Sequence, residues 1–177
     1  MGGQDKMENA SLIWSKFAQP KHRLIAWLAT KKRMLTKERL GQMRITVTDM
    51  ACCLCDDQAI ETSQHLFGNC PWIQGIRRSL LQWTDTQLHA GEPKLVFDSI
   101  RRKHWQKLKK EVMAAIWGAT IYHIWTAKNK KLFQNGNVQV DTIVTQIKKE
   151  IKERISMIKL SNRGSMSRGF IQRLLCN

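Results

Sequence analysis

The sequence predicts an all-α fold, a small helical domain with a helical C-terminal extension. Three observations carry that expectation. Apolar residues recur every three to five positions through most of the chain, the spacing of a buried helix face. Prolines and capping residues sit where such runs begin. Four of the five cysteines crowd between Cys52 and Cys70 around one histidine, which favours a metal over a disulfide framework.

Taken in order, Ser11 is placed to cap a short turn carrying Leu12, Ile13, Trp14 and Phe17. Pro20 opens a helix whose Leu24, Trp27 and Leu28 share one face, and Thr36 and Gly41 bracket the next. Residues Ile45 to Ala51 lean towards extended chain and lead into the cysteines. Pro71 opens a helix with Ile73, Ile76, Leu80 and Trp83 at helical spacing, and Asp85 to Pro93 is a loop. One long helical region follows, with Phe97, Ile100, Trp105, Leu108, Val112, Ile116 and Ala119 in register, and Asn135-Gly136 ends it. The last helix runs from about Val140 to Leu160, with Ile143, Val144, Ile147, Ile151, Ile155 and Ile158 as its apolar stripe. The organisation is then a zinc-binding helical domain over 8–90, a helical extension over 91–160 and a basic flexible tail over 161–177.

Composition narrows the partners. The 177 residues are 42% apolar, enough for a real core, and thirty Lys+Arg against fourteen Asp+Glu leave a formal charge of +16. An excess of that size repels itself in a compact state and calls for a polyanion, nucleic acid first and an anionic membrane surface second. The opening MGGQDKMENA has neither a secretory nor a transit pattern, and Lys6 stands where a myristoylation signal needs Ser or Thr. The longest apolar stretch, Val112 to Trp125, is interrupted by Thr120 and His123 and falls short of the ~18 residues of a membrane span. An intracellular protein of the nucleus or cytoplasm, without a membrane partner, is expected.

The cysteine pattern is C-x2-C-x9-H-x4-C, formed by Cys52, Cys55, His65 and Cys70. Two cysteines two residues apart can reach one ion from a tight turn, and thiolate with imidazole suits zinc. The second half raises a geometric problem, since residues five apart on an α-helix differ in direction by about 140°. Gly68-Asn69 offers a solution by ending a short helix begun near Thr62, which leaves Cys70 at the cap of the helix opened by Pro71. Four protein ligands close the shell, so the expected cofactor is one structural Zn2+. Cys53 reads as a bystander in the core, Cys176 as a free tail thiol, and Asp56-Asp57 as solvation of the loop.

The tryptophan-rich lead-in LIWSKFAQPKHRLIAWLATKKRMLTKERL and the core CCLCDDQAIETSQHLFGNCPW resemble the zinc-binding domain that follows reverse transcriptase in plant LINE-type (non-LTR) retrotransposons. The resemblance runs from about Leu12 to Trp83 and implies zinc on the same Cys52, Cys55, His65 and Cys70. The segment from Ile116 to Phe133 resembles a downstream helix of such elements that ends in tryptophan-x-x-R-N. Here Lys128 replaces the arginine before Asn129, so a role needing a planar guanidinium does not carry over.

Catalytic machinery is not expected. A polymerase needs paired metal-binding aspartates, typically in a tyrosine-x-D-D turn, whereas Tyr122 is followed by His123 and Ile124. No strand-based carboxylate set suggests a nuclease, and no Gly-rich phosphate loop is present. His22, His89, His104 and His123 have no evident nucleophile or carboxylate partner. The chain is therefore read as a non-enzyme without a small-molecule substrate.

Basic residues cluster at Lys31, Lys32 and Arg33, at Arg77 and Arg78, and at Arg101, Arg102 and Lys103, with Lys107, Lys109, Lys110, Lys128, Lys130 and Lys131 beyond. Lacking acidic counterparts, they point to RNA or DNA held through phosphate contacts, salt-sensitive and weakly selective. Trp72 and Trp105 are candidates to stack on bases, although core packing is the commoner use of such residues. Two other expectations stand beside this one. The amphipathic helix 140–160 can serve a protein partner or self-association, or the chain is a retroelement remnant without a selected function.

Overall fold

The computed structural model describes residues 9–89, 91–158 and 165–176. Among them, regular structure is helical throughout: α1 (Ala10–Ile13), α2 (Pro20–Thr30), α3 (Lys37–Gln42), a π-helical turn (His65–Asn69), α4 (Pro71–Thr84), α5 (Pro93–Arg102), α6 (Lys107–Gln134), α7 (Val140–Met157) and α8 (Ser165–Cys176). The all-α expectation holds. No strand occurs among the described residues, and Ala51 and Ile60 make one isolated antiparallel bridge within the extended cysteine segment.

Helix starts follow the expected chemistry. Pro20, Pro71 and Pro93 each stand in the first turn, where the missing N–H costs nothing. Thr36 caps α3, its side chain accepting from the Arg39 N–H at 3.3 Å. Several boundaries differ from expectation. Asn9, not Ser11, occupies the N-cap of α1, and Gly41 lies inside α3. The long helical region is broken into α5 and α6 by extended backbone at Lys103 and Gln106, a break across which the apolar spacing continues. Asn135, with φ of 47°, takes the left-handed position at the end of α6 that Gly136 was expected to take.

α6 is the axis of the molecule. Every residue from Val112 to Ile121 is buried, which is why that stretch lacks a polar face. α1, α2, α5, α7 and α8 all pack on it. α2 approaches through small groups: a Cβ placed on Gly118 would lie 3.8 Å from the Ala26 Cβ and 3.9 Å from the His22 Cβ. The buried face of α2 is therefore His22, Ala26 and Ala29, and Leu24, expected inside, is 50% exposed. Trp27 and Leu28 are half-buried.

The α7 stripe is used within the chain. Ile143, Val144, Ile147, Ile151 and Ile155 are buried, and α7 packs on α4 and α6. Helix α8 corrects the expectation of a flexible tail over 161–177, because Phe170, Ile171 and Leu174 are buried and α8 packs on α4, α6 and α7. Residues 161–164 and 177 of that tail, and Leu160 at the expected end of α7, lie outside the described residues. Buried apolar side chains from Leu12 to Leu174 form one continuous core, so 8–90 and 91–160 share an interior. No helix among the described residues is long and apolar enough to cross a membrane.

Ile147 is fully buried where α7 meets the core. Ile147→Ala should cost about 2–5 kcal/mol in urea unfolding. Its midpoint should not depend on protein concentration, as it would if the stripe were buried between two copies.

Candidate metal centre

Cys52, Cys55, His65 and Cys70 come together, with one ligand atom from each lying within 4.8 Å of all the others. Two local structures make the cluster. The first is a loop closed at its base by the Ala51–Ile60 bridge and by the Cys52 N–H donating to the Ala59 carbonyl at 2.8 Å. Cys52 and Cys55 sit on the outgoing arm of that loop. The second is the π-helical turn, which begins where the Thr62 hydroxyl accepts from the His65 N–H at 2.9 Å.

The π turn answers the geometric problem of the x4 spacing. The Cys70 N–H donates to the His65 carbonyl at 2.9 Å, an i to i+5 bond that brings two residues five apart back to one side. The helix is thus widened between them rather than ended by Gly68-Asn69 as expected. Gly68 has a different task. A Cβ there would sit 2.9 Å from the backbone carbonyl carbon of Gly91, so only glycine lets the two chain segments touch. The Gln74 side-chain amide also donates to the Gly68 carbonyl.

The donor set can be tested against zinc. Bonds of about 2.3 Å to sulfur and 2.0–2.1 Å to nitrogen put tetrahedral neighbours roughly 3.5–3.8 Å apart. Cys55 Sγ and His65 Nε2 are 3.3 Å apart, close to that edge. Backbone N–H groups converge on the sulfurs: Leu54 on Cys52, Asp57 on Cys55, and Trp72 and Ile73 on Cys70 at the opening of α4. Hydrogen bonding from Cys70 holds the Cys52 thiol down at about 5, against the burial that opposes ionisation. Cys70 is raised in consequence, chiefly by the same contact and then by burial, and the helix-end amides oppose this only in part. Three sulfurs and an imidazole in this arrangement fit zinc, and among the described residues no fifth His, Cys, Asp or Glu joins the cluster.

Residues 1–76 match the family described as zinc-binding in reverse transcriptase. The match spans all four clustered residues and ends within α4, short of the resemblance to Trp83, and the segment 116–133 lies outside it. Neither the curated proteins nor the solved structures yield a match. The chain is thus similar to a zinc-binding domain of reverse transcriptases over its first 76 residues.

A buried ion pair ties this zinc-binding segment to α6. Glu61, next to the bridge, is fully buried, and its Oε1 lies 2.8 Å from Lys128 Nζ and accepts from the Lys37 N–H at 3.0 Å. Lys128 also donates to the Leu35 carbonyl at 2.9 Å and lies 4.5 Å from the Trp125 ring centroid. Cys53 is half-buried with Sγ 3.9 Å from the Lys128 carbonyl, in keeping with a bystander beside the site. Asp56 and Asp57 are exposed, and Cys176 is an exposed free thiol.

The basic residues divide into two groups. Lys31, Lys32, Arg33, Arg78 and Arg102 are exposed, and Arg101 and Lys103 are half-buried. Lys32 pairs with Glu92 at 2.9 Å and Arg101 with Asp98 at 3.7 Å. Arg77 is buried instead, its guanidinium donating to the Leu88 carbonyl and lying over the Trp117 ring. Arg77 and Lys128 are therefore removed from the set of phosphate contacts. Trp72 and Trp105 are half-buried against the core, and Lys103 and Lys109 flank the Trp105 ring.

Sequence reasoning missed one constellation. His22 and His123, thought to lack a carboxylate partner, both meet Glu150, at 3.3 and 2.9 Å. Glu150 lies 27 residues beyond His123, and only the packing of α7 on α6 reveals the contact.

Removing one member of the Glu61–Lys128 pair strands the other charge in the core. Glu61→Gln or Lys128→Met should each cost about 3–5 kcal/mol in chemical denaturation. The double variant Glu61→Leu/Lys128→Met should cost well under the sum of the two.

Proposed function

We propose that the chain is a zinc-stabilised nucleic-acid-binding module derived from the C-terminal region of a plant LINE-type reverse transcriptase, without polymerase or nuclease activity of its own. One structural zinc is held by Cys52, Cys55, His65 and Cys70, and its task is to fix the loop and the π turn against α4. With four protein ligands the ion has no position for water or substrate. It supplies cross-linking, not chemistry.

The observation that carries the binding role is the formal charge of +16 together with exposed clusters at Lys31, Lys32 and Arg33 and at Arg102. Half-buried Arg101 and Lys103 adjoin Arg102. The pair Lys32–Glu92, with the Lys32 side chain 64% exposed, is weak enough to exchange for phosphate. RNA or DNA is gripped by its backbone, so affinity follows ionic strength more than sequence. The remoter features of the same reading are an intracellular setting and descent from a retroelement, which the tryptophan-rich lead-in before the cysteines supports. A protein-interaction role for 140–160 loses its surface, since the stripe there is already covered.

Binding of single-stranded RNA should weaken steeply with salt, and Arg102→Ala or Lys103→Ala should each lower the log–log slope by about 0.7. Arg77→Ala should leave that slope unchanged while lowering thermal stability. A salt-independent affinity, or a slope that responds to Arg77 and not to Arg102, would overturn the binding role. For the metal, dialysis against a strong chelator should release one zinc from the Cys3His cluster and lower Tm, with recovery on adding zinc. An unchanged Tm after complete removal would show that the ion is not structural.

A further inference from the structure

We propose that His22 of α2, His123 of α6 and Glu150 of α7 form a second metal site, which takes a divalent first-row cation such as zinc and leaves part of its coordination open to water. One ligand atom from each lies within 4.8 Å of the other two. His123 Nε2 and His22 Nε2 stand 2.9 and 3.3 Å from the same carboxylate oxygen, Glu150 Oε2. Bonds of 2.0–2.1 Å place adjacent ligands about 2.9 Å apart in an octahedron and about 3.4 Å apart in a tetrahedron. Both distances from Glu150 Oε2 fall within that range, and the two ring nitrogens lie within 4.8 Å of each other, so a modest movement of the rings would let one ion sit among the three atoms.

A second observation points to a ligand here. His22 is 1% exposed, and neither of its ring nitrogens has a hydrogen-bond partner. A buried polar group without a partner is costly, and a cation on Nε2 supplies one. Burial holds His22 down at about 4, so its ring is neutral at pH 7 and has a lone pair to offer. The other oxygen of Glu150 is already oriented from outside, accepting from Gln146 Nε2 at 3.1 Å and Lys21 Nζ at 3.4 Å. That is how metal-bound carboxylates are commonly steadied. Tyr122 packs on both imidazoles, with ring centroids 4.9 and 5.3 Å away, and limits their rotation.

Three ligands from three helices leave the shell incomplete, unlike the Cys3His cluster. His123 lines an open cavity of about 220 Å³ with Thr126, Lys130 and Thr142, which brings solvent to the edge of the site. On binding, His123 presents the Nε2 lone pair to the cation, which leaves Nδ1 to carry its proton. Lys21 is 46% exposed at its side chain and can turn outward, but its charge opposes a cation and makes this site the weaker of the two.

The test uses the full chain and cobalt(II), whose spectrum separates the two sites. The first equivalent should give the intense sulfur-to-metal charge transfer of the Cys3His cluster. A second should add only weak ligand-field bands and paramagnetically shifted imidazole protons in NMR. His123→Gln and Glu150→Gln should each abolish the second equivalent and leave the charge-transfer band intact. Wild-type protein that binds one equivalent and shows no second set of shifted imidazole protons overturns the proposal, even if both variants fail to fold. Unaltered binding of the second equivalent in either folded variant overturns it too. Loss of the charge-transfer band alone strikes the structural-zinc reading and leaves this site standing.

Discussion

The contact on which the rest of the architecture turns is the buried pair of Glu61 and Lys128. The cysteine loop has almost no regular secondary structure, and its base is a single bridge between Ala51 and Ile60. A segment so poor in backbone ladder must be oriented by something else. Glu61 does this in two directions, accepting from the first residue of α3 and from the ammonium of α6. An ammonium has three donors; two of those on Lys128 find Glu61 and Leu35 oxygens, and the Trp125 ring lies beside it. The environment supplies two oxygens and one aromatic face, which suit a compact charge rather than a fork of five donors.

That constraint also accounts for the precision of the Cys3His cluster. Two of its ligands hang on the loop and two on the π turn, segments that share no hydrogen-bonded ladder. Their relative position depends on what each segment packs against. The loop is referred to α6 through Glu61, and the π turn leads directly into α4, whose Ile73, Ile76 and Leu80 are buried in the same core as α6. Gly68 completes the registration by admitting the Gly91 backbone at a distance no other side chain allows. A metal at this cluster would lock an arrangement that packing has already brought within a few ångströms of tetrahedral.

How much of this was legible in the sequence depends on the range of the interaction involved. Helix starts at Pro20, Thr36 and Pro71 were readable because a cap is a local event. The four clustered ligands were readable because metal chemistry restricts both residue type and spacing. The π turn was not, since Gly68-Asn69 carries the same letters whether it ends a helix or lets one widen. The face of α2 was misjudged for a different reason. Side-chain size favours Leu24, but close approach to Gly118 favours Ala26 and Ala29, and that preference lives on a helix about ninety residues away. Helix α8 was hidden by composition: Gly, Ser and Arg suggest a mobile tail, while Phe170, Ile171 and Leu174 suffice to dock it.

The treatment of charge follows from the same packing. A chain with sixteen excess positive charges must place them where they do not repel the fold apart. Among the described residues the buried Lys and Arg side chains are all answered: Lys128 by Glu61, Lys37 by Asp49 and the Ala51 carbonyl, and Arg77 by the Leu88 carbonyl and the Trp117 ring. Burial of those three removes them from any role outside. The other cations among the described residues are exposed or half-buried, some in pairs such as Lys32–Glu92 that contribute little to stability. Repulsion among these exposed cations is relieved by salt or by a polyanion, and a polyanion relieves it more because its charges are covalently linked and bind together. A basic residue's position in the sequence thus says little about its use. Arg77 and Arg78 are neighbours on α4, yet one holds a loop in the core and the other faces water.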